Sequence, residues 1–146
     1  MRSYTKAGIA SLFTDRAIAY RVEKGFDHMK VALSVGIQQM VAVRSKAAGV
    51  MFTIDTETGF RNAVVITSIY GLGENIVQGR VSPDEFTVFK PTMAILKKRV
   101  GEKKLRMITV DGCKTKNVLV PIHEREQFAI TDDQVKTLAD WGVKIE

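Results

Sequence analysis

Cysteine, histidine and proline are scarce, with one, two and three residues among 146. The lone Cys113 closes no internal disulfide, which excludes a disulfide-stapled scaffold and fits a reducing compartment. His28 and His123 stand 95 positions apart and make no zinc-ligand spacing with it. No run approaches the roughly 18 to 20 consecutive apolar residues of a membrane span. The opening Met1-Arg2-Ser3-Tyr4-Thr5-Lys6 is followed by no long apolar region, so no secretory leader is read there. A cytoplasmic chain with no membrane partner is expected. Ser34, Ser45 and Ser68 have no His/Asp partner that sequence can place, which leaves a hydrolase triad unsupported. What is present suits one globular core: 45% hydrophobic and 26% charged residues.

Lysine and arginine exceed aspartate and glutamate by 22 to 16, a net charge of +6. The excess is local. Between 97 and 116 stand Lys97, Lys98, Arg99, Lys103, Lys104, Arg106, Lys114 and Lys116 against only Glu102 and Asp111. Apolar-basic runs flank Gly101-Glu102-Lys103, so this stretch reads as a hairpin whose cations guard an exposed sheet edge. A nucleic-acid surface is the competing reading. No aromatic residue lies between Lys90 and Phe128 to stack a base, so nucleic acid is not expected as a partner.

Periodicity divides the chain. Over 7–24 the apolar residues Ile9, Leu12, Phe13, Ile18 and Val22 recur at helical steps before Gly25, a helix stop. From Val31 to Val43 the sequence is rich in β-branched residues and roughly alternating, and reads as extended. Residues 49–54 and 63–70 are nearly continuous apolar runs, expected as central strands, with turn chemistry at Asp55-Thr56-Glu57-Thr58-Gly59 between them. Glu85-Phe86-Thr87-Val88-Phe89 alternates cleanly and Asn117-Val118-Leu119-Val120 is a further short strand. Thr131 followed by Asp132 and Asp133 opens a helix over 131–146 that reaches the last residue with no stop signal, which reads as a truncated helix. The expectation is an α+β domain, mainly antiparallel. Its parts are a helix over 7–24, a sheet core over 31–90 with a glycine-rich turn, a basic hairpin and strand over 94–120, and the terminal helix.

The most distinctive segment is Tyr70-Gly71-Leu72-Gly73-Glu74-Asn75-Ile76-Val77-Gln78-Gly79. Its turn amides could cradle an anion on Gly71 and Gly73, with Glu74 following on the phosphate side. The competing reading is a tight turn in which glycine supplies positive φ and Glu74 caps it. Gly71-Leu72-Gly73 lacks the third glycine of a dinucleotide fingerprint and the Lys-Ser/Thr of a P-loop.

Five motifs in order resemble the phosphoenolpyruvate synthase (pyruvate, water dikinase) family. They are Ser11-Leu12-Phe13-Thr14-Asp15-Arg16-Ala17-Ile18-Ala19-Tyr20-Arg21, Gln39-Met40-Val41, Gly49-Val50-Met51-Phe52-Thr53-Ile54-Asp55, the glycine-rich segment, and Ser82-Pro83-Asp84-Glu85-Phe86. The resemblance implies a partial ATP-binding domain over 1–146, of pyruvate phosphate dikinase type. It implies an ATP-grasp-like subdomain incomplete at both ends. The family uses ATP and Mg²⁺ to phosphorylate a histidine on a swivelling domain, and that histidine then phosphorylates pyruvate. Such transfer is mainly positioning and neutralisation of phosphate charge. In the family ATP lies between two subdomains, the first supplying a lysine, an arginine and a phosphate loop. The second borders adenine and ends in a Glu and a Gln-x-Arg. Carried over, Gln39, Met40 and Val41 match the segment beside adenine. The arginine motif and phosphate loop would precede Met1, and the Glu and Gln-x-Arg motifs would follow Glu146. Neither His28 nor His123 has the context of the phosphorylated histidine, so no catalytic or metal residue is expected here. ATP and the missing subdomains are the implied partners, and self-association of the uncovered surfaces is expected. A stand-alone nucleotide- or partner-binding module remains an alternative, as does a piece of a related phosphotransferase such as a rifampin phosphotransferase or pyruvate, phosphate dikinase.

Overall fold

A computed structural model of the chain describes residues 2–37, 46–110 and 114–146. The chain forms two compact units, 1–40 and 41–146. The first is helical. The stretch expected as one helix over 7–24 is divided into α1 (Arg2–Ala10), a 3-10 turn (Ser11–Phe13) and α2 (Asp15–Lys24). The break is chemical. The Ser11 hydroxyl donates to the Gly8 carbonyl at 2.6 Å and the Thr14 hydroxyl to the Ser11 carbonyl at 3.0 Å, while Thr14 turns extended with ψ 150°. Such side-chain bonds offer the backbone an alternative to the helical ladder. Arg21 then braces the corner, donating to the Leu12 carbonyl at 2.6 Å and to His28 Nδ1 at 2.9 Å. Gly25, at φ 69°, stops α2 as its position predicts. Residues 31–37, expected as extended sheet, carry no strand. Their β-branched pattern supplies propensity, but a strand also needs a partner for its ladder. The remainder of that expected strand, 38–43, lies outside the described residues, as does Cys113.

The second unit holds an antiparallel four-stranded meander in the order β1 (Ala47–Phe52), β2 (Ala63–Tyr70), β3 (Asp84–Phe89), β4 (Ala94–Arg99). The α+β, mainly antiparallel architecture is the one expected. β2 is central and apolar on both faces, as its unbroken Val-Val-Ile run requires, and Ala63, Val64, Ile66 and Ile69 are buried. One sheet face is covered by α5 (Asp132–Ile145), whose Val135 and Ala139 pack into Val64, Ile66, Phe86 and Val88. Phe128 meets Phe86 with ring centroids 5.1 Å apart, completing the core. The start of α5 is a full capping box: Gln134 N–H donates to the Thr131 hydroxyl, and the Gln134 side chain accepts from Thr131 N–H.

The basic stretch departs from expectation. β4 and β5 (Leu105–Val110) do not form a hairpin. β4 pairs with β3, whereas β5 pairs with β6 (Lys114–Leu119) in a separate two-stranded sheet. The chain crosses between the sheets at Gly101-Glu102-Lys103, and Lys103 is fully buried rather than solvated. Its neighbours explain the dive. A side chain at Gly101 would place Cβ 2.1 Å from the Pro83 carbonyl, so the crossing runs directly against the entry to β3. Lys103, at φ 40°, turns inward to a buried carboxylate on that strand. Spacing alone resembles a turn; the buried acid that captures the lysine is remote in sequence. The one-turn helices α3 (Glu74–Val77) and α4 (Ile122–Arg125) complete the unit.

Candidate nucleotide-binding region

The glycine-rich segment leaves β2 and joins three parts of the second unit. Gly71, at φ 77°, forms a parallel bridge with Met107, and a Cβ there would lie 2.4 Å from the Met107 carbonyl. Only glycine fits this approach. Its N–H donates to the Lys46 carbonyl at 3.1 Å, and Leu72 N–H donates to the Met107 carbonyl at 3.0 Å. These two amides stitch β1 and β5 to the end of β2. Gly73 caps α3, its carbonyl accepting from Ile76 and Val77 at 3.2 and 3.3 Å. Glu74 is exposed and accepts from the Gln78 amide at 2.8 Å. Asn75 is buried, its amide donating to Asn117 Oδ1 at 2.8 Å, which ties α3 to β6.

Behind the turn lies a fully buried ion pair. One Asp84 oxygen accepts from Lys103 Nζ and from Gly101 N–H at 2.9 Å. The other accepts from Ala129 N–H at 2.8 Å and from the Ser68 hydroxyl at 3.4 Å. Lys103 also donates to the Gly101 and Arg125 carbonyls at 2.9 and 3.2 Å, and its ammonium sits 5.8 Å from the Tyr70 ring centroid. A buried pair with every lone pair and proton used fixes geometry, and loss of one member strands the other charge. This pair locks β3, the crossing between sheets and the approach to α5 together. Sequence reading missed it. The available signal was Pro83-Asp84 at a strand start together with a glycine two residues before Lys103.

Two concave regions flank this junction. On the face of the four-stranded sheet away from α5, Val65, Thr67, Glu85, Thr87 and Lys97 lie under the loop 55–59, around about 430 Å³. Asp55 organises that loop. It accepts from the Thr58 hydroxyl at 2.7 Å and from Glu57 N–H at 3.0 Å, and these bonds hold its carboxyl below the usual carboxylate range. The second region, of about 460 Å³, is lined by Lys46, Tyr70, Arg106, Ile108, Val118 and Glu124. Arg106 donates to the Glu124 carboxylate at 2.8 Å, and the Tyr70 hydroxyl donates to the Glu124 carbonyl at 2.8 Å. Burial, then the nearby Asp84 and Glu124 charges, push the Tyr70 phenol up, so it remains a donor.

Of the residues expected to contact nucleotide, Gln39, Met40 and Val41 lie outside the described residues. Gly71, Gly73 and Glu74 are described and adjacent, with the Gly71 amide committed to Lys46. Lys46 follows Val41 by five positions, so the glycine turn anchors the chain where it leaves the expected adenine segment. Among the described residues no group of three or more His, Cys, Asp or Glu side chains could hold a metal ion.

Residues 2–146 match the family described as pyruvate phosphate dikinase, AMP/ATP-binding domain. A phosphoenolpyruvate synthase of Synechocystis sp. is 57% identical over 144 residues, covering 94% of this chain and 18% of that protein. One from Neisseria meningitidis is 53% identical over 146 residues, with the same 94% and 18% coverage. A probable phosphoenolpyruvate synthase of Methanocaldococcus jannaschii is 41% identical over 143 residues, covering 98% of this chain and 12% of that protein. The chain thus spans less than a fifth of the length of these relatives.

Proposed function

The chain belongs to the pyruvate phosphate dikinase AMP/ATP-binding family, and on that premise we propose that it is the adenine-bordering part of the ATP site of a cytoplasmic phosphoenolpyruvate synthase. The observation that carries this reading is 57% identity with such a synthase across 94% of the chain. The whole enzyme would convert pyruvate, ATP and water to phosphoenolpyruvate, AMP and phosphate through a phosphohistidine. Its nucleotide domain would be ATP-grasp-like. In this reading the extended backbone at Gln39 offers a carbonyl and an N–H to the adenine edge, and Met40 or Val41 packs on the ring. Gly71 and Gly73 serve the site by holding Lys46 and α3 in place, with Glu74 on the phosphate side. Mg²⁺, when bound, would neutralise triphosphate charge; the described residues gather no carboxylate set to hold it.

Without the cationic subdomain the 146-residue chain should bind ATP with a dissociation constant on the order of 1 mM, about −4 kcal/mol. Titration calorimetry measures this directly, and Met40→Asp should remove the heat. A low-micromolar constant would mean a complete site within this chain and would overturn the assignment. Pyruvate-dependent AMP formation by the chain alone, surviving repurification, would do the same.

A further inference from the structure

The two edges of the four-stranded sheet differ in chemistry. β4 carries Lys97, Lys98 and Arg99 in succession, cations of the kind that keep other strands from pairing at an edge. β1, the opposite edge, runs Ala47-Ala48-Gly49-Val50-Met51-Phe52 with no charge and no proline. The phase of its hydrogen bonds is set. Gly71 N–H donates to the Lys46 carbonyl, so Ala48, Val50 and Phe52 bond β2, while the N–H and C=O groups of Gly49 and Met51 point away from it. Among the described residues no strand pairs with that outer edge. Its flank is apolar. A cavity of about 210 Å³ is lined by Ala48, Gly49 and Met51 of β1 together with Ile130 and Leu138. Trp141 of α5, more than half exposed, lines the adjoining cleft with Ile130 and Leu138.

Charge and shape together choose the occupant. The net charge of +6 opposes contact between copies of this chain, and a joint through β4 would set three cations against their equals. A joint through β1 avoids this. The strand order becomes β4-β3-β2-β1-β1-β2-β3-β4, which holds the two β4 edges roughly 34 Å apart at about 4.8 Å per strand. Their charges are then far beyond the roughly 8 Å screening length of physiological salt. The edge is also complementary to itself. Antiparallel pairing about Val50 sets Gly49 against the second copy's Met51, so the outward amides of both residues are used. It sets Phe52 beside the second copy's Ala48, large against small. We propose that β1 is the contact surface for a second copy of this chain, joined edge to edge across a two-fold axis at Val50. Each copy offers the same edge, so the assembly closes at two. The joint rests on β1 and does not depend on the nucleotide reading.

The test is sedimentation of the 146-residue chain carrying Phe13→Ser and Val22→Ser, which removes two exposed apolar residues of the helical unit. A monomer–dimer equilibrium should remain. Val50 is half-buried and lies outside the core under α5, so Val50→Lys and Val50→Glu should both fold, as the Trp141 transition in urea checks. Each sets like charges opposite one another at the axis and should weaken the dimer by roughly tenfold or more. An equimolar mixture of the two should recover it, because Lys then faces Glu. Lys97→Gln, on the other edge, should leave the dimer unchanged. Three results would overturn the proposal: a monomer at high concentration, dimers of either Val50 variant as tight as the parent's, or a mixture no tighter than its components. A monomer whose Gly49 and Met51 amides resist hydrogen exchange would overturn it as well, by showing that the edge is covered from within the chain.

Discussion

Residues 5–37 bury one side chain, and it is a charged one, Arg21. Residues 46–146 bury a continuous apolar core of Val64, Ile66, Phe86, Val88, Val135 and Ala139. The contrast is not one of composition, because the helical unit has its own large apolar residues. Phe13, Tyr20, Val22, Phe26 and Met29 are all more than half exposed. What differs is the source of order. The helical corner is held by bonds between near neighbours, such as Arg21 to Leu12 and Thr14 to Ser11. The sheet unit is held by contacts between residues far apart, where each buried Val, Ile or Phe contributes roughly 1.5–3 kcal/mol. Local bonds of that kind contribute only about 0.5–1.5 kcal/mol each. Cooperative stability is therefore expected to reside in the sheet unit.

The strongest way to break this comparison is to remove the polar lock inside the stable half. Lys103→Ala leaves Asp84 buried and uncompensated, and should cost about 3–5 kcal/mol. Trp141, the single tryptophan, lies on α5 and reports the transition in urea. Replacing both partners by apolar residues, Asp84→Leu with Lys103→Met, should cost clearly less than either single change. If Lys103→Ala left the midpoint unmoved, the pair would not be organising the unit.

A smaller effect is expected at the α5 cap. Thr131→Ala removes the acceptor for Gln134 N–H and should cost about 1 kcal/mol. Gln134→Ala removes the reciprocal bond and should cost less, and the two losses should not add, since they share one box. Additive losses would show that the box does not act as a unit.

The sequence was most legible where a local rule coincided with tertiary demand. The β2 run, the alternation of β3, the Gly25 stop and the Thr131 cap all satisfy both, and all appear as read. It was least legible where a remote partner decided the outcome. Lys103 looked like a turn residue because Asp84, 19 positions away, is invisible to spacing. The glycine turn was legible as a motif, but the destination of its amides was not, because Lys46 and Met107 reach it from different strands. The broken helix failed for the opposite reason. Its apolar period was real, yet two hydroxyls bonded back to the chain, and period does not register them.

On the helical side, Phe13→Ser and Val22→Ser should shift the Trp141 transition by no more than about 0.5 kcal/mol, as for surface positions. Their effect should appear in self-association instead. Sedimentation at several concentrations should show the unmodified chain associating and the double variant less so. The net charge of +6 opposes association, but at about 0.15 M salt its reach falls to roughly 8 Å. An unmodified chain that stays monomeric at high concentration would show that these exposed residues need no cover.

The smallest effect is expected at Asp55, on an exposed loop of the sheet unit. Its carboxylate takes hydrogen bonds from Thr58 and from Glu57 N–H, and they lower its folded pKa from the ordinary 3.8. A carboxyl depressed on folding stabilises the native state above its unfolded pKa, and that contribution is lost as pH falls through the folded value. The loop should therefore hold its arrangement at neutral pH and loosen only on the acid side of 3.8. An NMR pH titration following the Glu57 amide should give a midpoint below that value. Asp55→Asn keeps one acceptor oxygen but not the charge, so the Glu57 amide should become insensitive to acid and should exchange faster at neutral pH. Because the carboxyl belongs to a surface loop, the urea midpoint at neutral pH should barely move. A titration midpoint at or above 3.8 would mean that Thr58 and Glu57 do not hold the charged form, and that the loop owes its shape to Gly59, at φ 74°, rather than to Asp55.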